Sequence, residues 1–130
     1  MAVSYAIKAS GSGLFNPVAV PGGWFEFDVI VQSAGGDYPT GGYAFGIAQI
    51  QTLSGGAYSA LEAVSVAQHW QTLAGGGTTA FLAAWNSTTN KVQAYGMVTS
   101  GVTGSAFAEA TANDAGLAAG MGCILRVKVY

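Results

Sequence analysis

Three observations predict an all-β fold class: a single-domain β-sandwich or jelly roll of about eight short antiparallel strands with Gly-rich loops. Trp24–Gln32 carries Phe25, Phe27, Val29 and Val31 at every second position, with Glu26, Asp28 and Gln32 between them. That is the period-two pattern of a strand with one apolar face. The closing residues repeat it, since Leu125, Val127 and Val129 alternate with Arg126 and Lys128. Twenty glycines, among them the pairs Gly35-Gly36, Gly41-Gly42 and Gly55-Gly56, cut the chain into short segments. Glycine supplies the positive φ that tight turns require.

In chain order, residues 2–9 read as a first strand, with Val3, Tyr5 and Ile7 on one face and Ser4 and Lys8 on the other. Gly11-Ser12-Gly13 ends it. Pro17 and Pro21 make 14–23 a loop or a short edge strand at best, and residues 1–23 read as a partly extended N-terminal arm. After Trp24–Gln32 comes a long, shaped loop, Gly35-Gly36, Asp37, Tyr38-Pro39-Thr40, Gly41-Gly42. Residues 43–51 (YAFGIAQIQ) are expected to be a short strand or an irregular apolar segment, because their length and Gly46 argue against a stable helix. Residues 58–73 read as one amphipathic helix or two strands: Ala, Leu and Glu favour the helix, whereas Val64, Val66, His69, Trp70 and Thr72 favour strands. Strands are preferred, since the neighbours are β and Gly75-Gly76-Gly77 follows. Residues 79–85 and 91–98 flank Asn86-Ser87-Thr88-Thr89-Asn90 and form a β-hairpin. Its second strand turns Val92 and Ala94 one way and Lys91, Gln93, Tyr95 and Met97 the other. Gly101 and Gly104 punctuate the next stretch, 105–110 is a short strand and Asn113-Asp114-Ala115-Gly116 a turn. The charged face of the last strand, 123–130, either blunts a sheet edge or meets an acidic neighbour.

The 130 residues fit one domain, 1–130. Charged residues make up 8% of them and the net charge is −2, against about 25% charged residues in a typical soluble domain. Neutral Ser, Thr, Gln and Asn must then cover much of the surface, and little charge repulsion keeps copies apart. This suits a protein packed against other subunits, the alternative being an ordinary small, weakly charged β domain. Four Lys and Arg residues cannot form a basic stripe, which disfavours nucleic acid. No apolar run is long enough to span a bilayer, so no membrane is expected. The first residues lack the apolar core of a signal peptide, so the product is expected to start out in a cytoplasm. Cys123 is the sole cysteine; it can form no intrachain disulfide and reads as a buried structural thiol.

No constellation for chemistry emerges. His69 is the only histidine and no nucleophile-elbow motif accompanies it. One His and one Cys cannot make a zinc site alone, and Glu26, Asp28, Asp37, Glu62, Glu109 and Asp114 are scattered. Glu26 and Asp28 share a strand face, an arrangement more often solvated or paired with basic residues than catalytic. No glycine precedes a lysine, so the phosphate-loop pattern is absent. The expectation is no enzyme, no cofactor and no metal. Asn86-Ser87-Thr88 matches a glycosylation sequon and reads as a turn. Core packing is expected for most of Trp24, Trp70, Trp85 and the tyrosines, with a sugar-stacking platform as the alternative.

Three segments in order carry a family resemblance: Asp37-Tyr38-Pro39-Thr40-Gly41-Gly42-Tyr43-Ala44, the hairpin from Ala84 to Tyr95, and Leu125-Arg126-Val127-Lys128-Val129-Tyr130. Together they resemble small capsid decoration, or cement, proteins of tailed bacteriophages. The resemblance implies a β-sandwich or jelly-roll subunit that assembles as a homotrimer over the outside of an icosahedral head. Its partners would be the major capsid protein and itself, and its location the virion surface after synthesis in the host cytoplasm. On this reading Asp37, Tyr38, Pro39, Thr40 and Tyr43, with the N-terminal arm, contact neighbours, while Trp24, Phe25 and Phe27 anchor the fold. The alternative function is a carbohydrate-binding β-sandwich module of fibre or lectin type.

Overall fold

The structure, a computed structural model, describes residues 3–8, 17–33, 35, 38–71, 81–99, 105–110, 117 and 120–130. Asp37 and the turns expected at 11–13, 75–77, 101–104 and 113–116 lie outside them. Nine strands and one helix are seen in this set: β1 (Ser4–Ile7), β2 (Val18–Val20), β3 (Trp24–Gln32), β4 (Tyr43–Ala44), α1 (Ile47–Ser54), β5 (Leu61–Gln71), β6 (Phe81–Asn86), β7 (Lys91–Thr99), β8 (Ser105–Glu109) and β9 (Met121–Val129). The count differs little from the expected eight: the short β2 and β4 both pair, while 58–73, expected to hold two strands, contributes the single strand β5.

All pairings are antiparallel. The first sheet runs β1-β3-β9-β5, with β2 sharing β1's side of β3. The second runs β4-β7-β6, with β8 on the β4 side of β7. These two sheets form a β-sandwich, the coarser of the two descriptions that the sequence predicts. The strand preference for 58–73 holds, but in place of two strands the described residues form one, β5, with irregularities of register at Leu61/Ala63 and Val66/Gln68.

The period-two pattern becomes burial directly. Phe27, Val29 and Val31 of β3 and Cys123, Leu125, Val127 and Val129 of β9 line the inner face of the first sheet. Phe45, Ile50, Tyr58 and Val92 complete that core. A second cluster, Tyr38, Tyr43, Phe81, Ala94, Ala110, Leu117 and Met121, lies under the second sheet. Of the expected anchors, Phe27 is inside, whereas Phe25 keeps 37% of its surface exposed and Trp24 packs edge-on against Tyr130 at 4.4 Å. Two hydrogen bonds stitch the parts together: the Tyr5 hydroxyl donates to the Ala44 carbonyl, and Trp85 Nε1 donates to the Phe45 carbonyl at 2.9 Å.

One further expectation is corrected, and one pair of alternatives is decided. The stretch 43–51, expected to be a short strand or irregular, is strand only at Tyr43–Ala44 and enters the helix α1 (Ile47–Ser54) from Ile47. Gly46 does not interrupt this helix; it stands at its N-cap, and its N–H donates to Gln49 Oε1 at 2.8 Å. Gly55 ends the helix in the left-handed region with φ +67°, the usual glycine stop. Ile50 is fully buried with Ile47 and Leu53 beside it, so the three-residue spacing that packs the helix was present in the sequence. For the charged face of the closing strand the second alternative holds: it meets acidic neighbours and does not lie at an edge. β9 lies between β3 and β5, and Arg126 meets Asp28 on one side while Lys128 meets Glu62 on the other.

Leu125→Ala should lower the free energy of unfolding in denaturant melts by about 3 kcal/mol, since it deletes buried methyl groups and leaves a cavity. Arg126→Ala, removing an exposed ion pair on the opposite face of the same strand, should cost less than about 1 kcal/mol.

Candidate functional site

The loop before β4 is held by a dense set of bonds. The Gly42 N–H reaches the Pro39 carbonyl at 3.0 Å, closing a β-turn whose third residue, Gly41, has φ +82°. Positive φ there is what a type II turn demands. At Gly42, with φ +97°, a Cβ would stand 2.3 Å from the Val92 carbonyl oxygen, so the chain can cross β7 at this height only without a side chain.

Below the turn, side chains that sequence reading assigned to separate elements converge. The Tyr38 hydroxyl donates to Glu109 Oε1 and accepts the Ala94 N–H, both at 2.9 Å. Gln93 Nε2 donates to the Gly41 carbonyl and to Glu109 Oε2, both at 3.1 Å. Gln93 Oε1 accepts from the Tyr95 hydroxyl at 2.8 Å and from Asn86 Nδ2 at 3.2 Å. The Tyr43 hydroxyl donates to Ser33 Oγ at 2.8 Å. Gln93, 6% exposed, thereby has its amide satisfied on both ends, as a buried polar group must. Burial chiefly raises the Tyr38 phenol above its ordinary range; the Ala94 N–H opposes this in part and the Glu109 carboxylate adds to it.

The hairpin turn, 87–90, stands beside this loop. Asn86 Oδ1 accepts the N–H groups of Thr88 and Thr89 at 2.9 and 3.1 Å, so the sequon is a turn device, as expected. Asn90 takes φ +54°, which asparagine tolerates better than most residues. Its carbonyl accepts the Phe45 N–H at 2.8 Å. β4 pairs with the start of β7, Tyr43 opposite Val92 and Ala44 opposite Lys91. The Lys91 chain lies along the neighbouring turn, its Nζ 3.3 Å from where a Cβ on Gly41 would be. The segments 39–42 and 87–90, far apart in sequence, thus make one end of the sandwich.

The residues singled out beforehand divide by direction. Pro39 and Thr40 are exposed at the tip, whereas Tyr38 and Tyr43 point inward and are 1% and 5% exposed. Their part in any contact is to hold the tip in place. Gln93, Glu109, Asn86 and Lys91 belong to the same assembly and were missed as a group. Only the cross-strand register, which sequence does not give, brings Glu109 opposite Tyr95 and Gln93 under Gly41.

On the outer face of the first sheet, Arg126 and Asp28 meet at 3.0 Å, and Lys128 Nζ meets Glu62 at 3.0 Å while sitting 5.5 Å from the centre of the Trp24 ring. Trp70 lies across Gly122, where a Cβ would come within 2.5 Å of the indole, and its Nε1 donates to Gln32 Oε1 at 3.0 Å. His69 is exposed on β5. Cys123 is buried, and burial pushes its thiol up to about 12. Among the described residues no three His, Cys, Asp or Glu side chains group as metal ligands, and no helix is long and apolar enough to cross a membrane. Comparison with family models, with curated proteins and with solved structures finds no match.

Tyr38→Phe should destabilise the fold by about 1–3 kcal/mol in chemical denaturation, because it strips the Ala94 N–H and Glu109 of a buried partner. Alkali gives a second check. A raised pKa means that the folded state favours the protonated group, so its contribution is complete below the ordinary values, 9.0 for the Cys123 thiol and 10.0 for the Tyr38 phenol. That contribution is lost as pH rises beyond them. The melting temperature should therefore hold from neutrality to about pH 9 and fall above it, with Cys123→Ala flattening the first part of the fall.

Proposed function

We propose that the protein is a virion structural subunit, a capsid decoration protein that binds the outside of a tailed-phage head as a homotrimer and stabilises contacts between major capsid subunits. One observation carries the reading. The two motifs with the strongest likeness to such proteins, the Tyr-Pro-Thr-Gly-Gly loop and the Asn-rich hairpin, share a single bonded end of the sandwich with Pro39, Thr40 and 87–90 exposed. A decoration protein needs a preformed surface of this kind, because rigid contacts lose little entropy on docking and many symmetric copies add weak contacts together.

Use of the polar groups supports the same reading. Asp28, Glu62 and Glu109 hold neighbouring side chains. The indole N–H groups of Trp70 and Trp85 are engaged within the chain, by Gln32 and by the Phe45 carbonyl. Pro39 and Thr40 make the contact in this account, while Tyr38 and Tyr43 fix the loop from below. The protein would then reside on the capsid surface, with the major capsid protein and its own copies as partners.

Light scattering on the purified protein should give three times the 13.1 kDa chain mass, and added protein should co-sediment with undecorated heads at a saturating stoichiometry. A monomer that leaves such heads bare would overturn the proposal.

A further inference from the structure

We infer that the end of the sandwich where 39–42 meets 87–90 docks on an acidic patch of its protein partner, with the Lys91 ammonium facing a partner carboxylate. The inference rests on the decoration reading above and adds the chemistry of the contact. It starts from the distribution of positive charge. The chain has four Lys and Arg residues. Arg126 is bound to Asp28 and Lys128 to Glu62, both on the outer face of the first sheet. Lys8 follows β1 at that sheet's edge. Lys91 alone belongs to the second sheet, and no ion pair to it is found among the described residues. The carboxylate on its side of β7, Glu109, has one oxygen on the Tyr38 hydroxyl and the other on Gln93 Nε2.

Among the described residues, the exposed side chains of the two turns beside Lys91 are neutral, and the turns are already ordered. Its side chain is half-buried and runs along Gly41, so part of the cost of immobilising a long cation is met before any partner arrives. The two turns carry Thr40, Thr88, Thr89 and Asn90, exposed side chains able to hydrogen-bond. The backbone beneath is fixed by the Gly42–Pro39, Asn90–Phe45 and Asn86–Thr88 bonds. A single cation in a rigid neutral rim selects a complementary anion and sets register more than it adds bulk affinity. Nucleic acid is a poor fit, because phosphate backbones are held by many cations together. A protein surface with a carboxylate at the matching place is the occupant that the charge selects.

The test titrates undecorated heads with the intact protein at low and at high salt, comparing wild type with Lys91→Glu, Lys91→Arg and Arg126→Gln. Melting curves and light scattering verify fold and oligomeric state for each. Lys91→Glu should weaken head binding by about tenfold or more at low salt, and Lys91→Arg and Arg126→Gln should stay within about threefold of wild type. High salt should narrow the gap between wild type and Lys91→Glu. If Lys91→Glu binds heads like wild type, this inference falls and the decoration reading stands. If it changes the oligomeric state and leaves head binding per assembled unit unchanged, the surface meets a second copy and the inference is overturned. If wild type itself ignores the heads, both are overturned together.

Discussion

The antiparallel pairing of β3 with β9 carries the rest of the structure. Eight consecutive residue pairs, from Phe25 opposite Val129 to Gln32 opposite Gly122, set the two strands in one register. That register places Phe27, Val29 and Val31 on the same face as Cys123, Leu125 and Val127, and on the other face it sets Glu26 opposite Lys128 and Asp28 opposite Arg126. A slip by one residue would turn both basic side chains into the core and the apolar set into water. The ion pairs are worth little as stabilisers at the surface. Their use is discrimination, because the alternative register would bury unpaired charge. Everything else is placed relative to this pair: β1 and β2 on its far side, β5 on its near side, and the second sheet against its apolar face.

β5 is held to this centre by devices that read poorly in one dimension. Trp70 covers Gly122 and reaches Gln32, so one indole spans β5, β9 and β3. An aromatic ring over a strand glycine restores the packing that glycine lacks. Lys128 ties β5 at its other end through Glu62. The Tyr130 carbonyl accepts the N–H groups of Ser59 and Ala60 just before β5 begins. These contacts hold in place a strand whose local residues, Leu61 to Ala67, would serve a helix nearly as well.

What sequence could tell therefore followed the range of the interactions. The alternation in 24–32 and 123–130 was legible because burial on one face of a strand leaves a mark at every second residue. The hairpin at 81–99 was legible because its turn chemistry is local: Asn86 accepts bonds from residues two and three positions on. The helix at 47–54 was not, because Gly46 reads equally as a breaker or as a cap, and only Ile50 meeting the inner face of the first sheet decides between them. At the candidate site the loop itself was found, but the direction of its side chains was not. Tyr38 and Tyr43 look like exposed contact residues in a Gly-rich loop, yet each hydroxyl has an inward partner, the Ala94 N–H and Glu109 for one and Ser33 for the other. Those partners come from β7, β8 and the end of β3, and no local pattern announces them.

The inward tyrosines change what kind of surface the loop can be. A Gly-rich loop with free aromatic side chains would adapt to its target and lose entropy in doing so. Here the aromatic rings are the foundation. Tyr38 and Tyr43 pack at 86° with 5.4 Å between centroids; the Tyr38 hydroxyl fastens the loop to the second sheet and the Tyr43 hydroxyl fastens it to Ser33 at the end of β3. The tip left over, Pro39 and Thr40, has its φ angles restricted by a proline ring and a closed turn. A tip of small size and fixed shape gives few strong contacts per copy, so an association built on it must gain its strength from repetition. That links the inward tyrosines to the scarcity of charge. A monomer in dilute solution would profit from repulsion between copies, whereas a subunit held in a symmetric array profits from surfaces that approach one another without it.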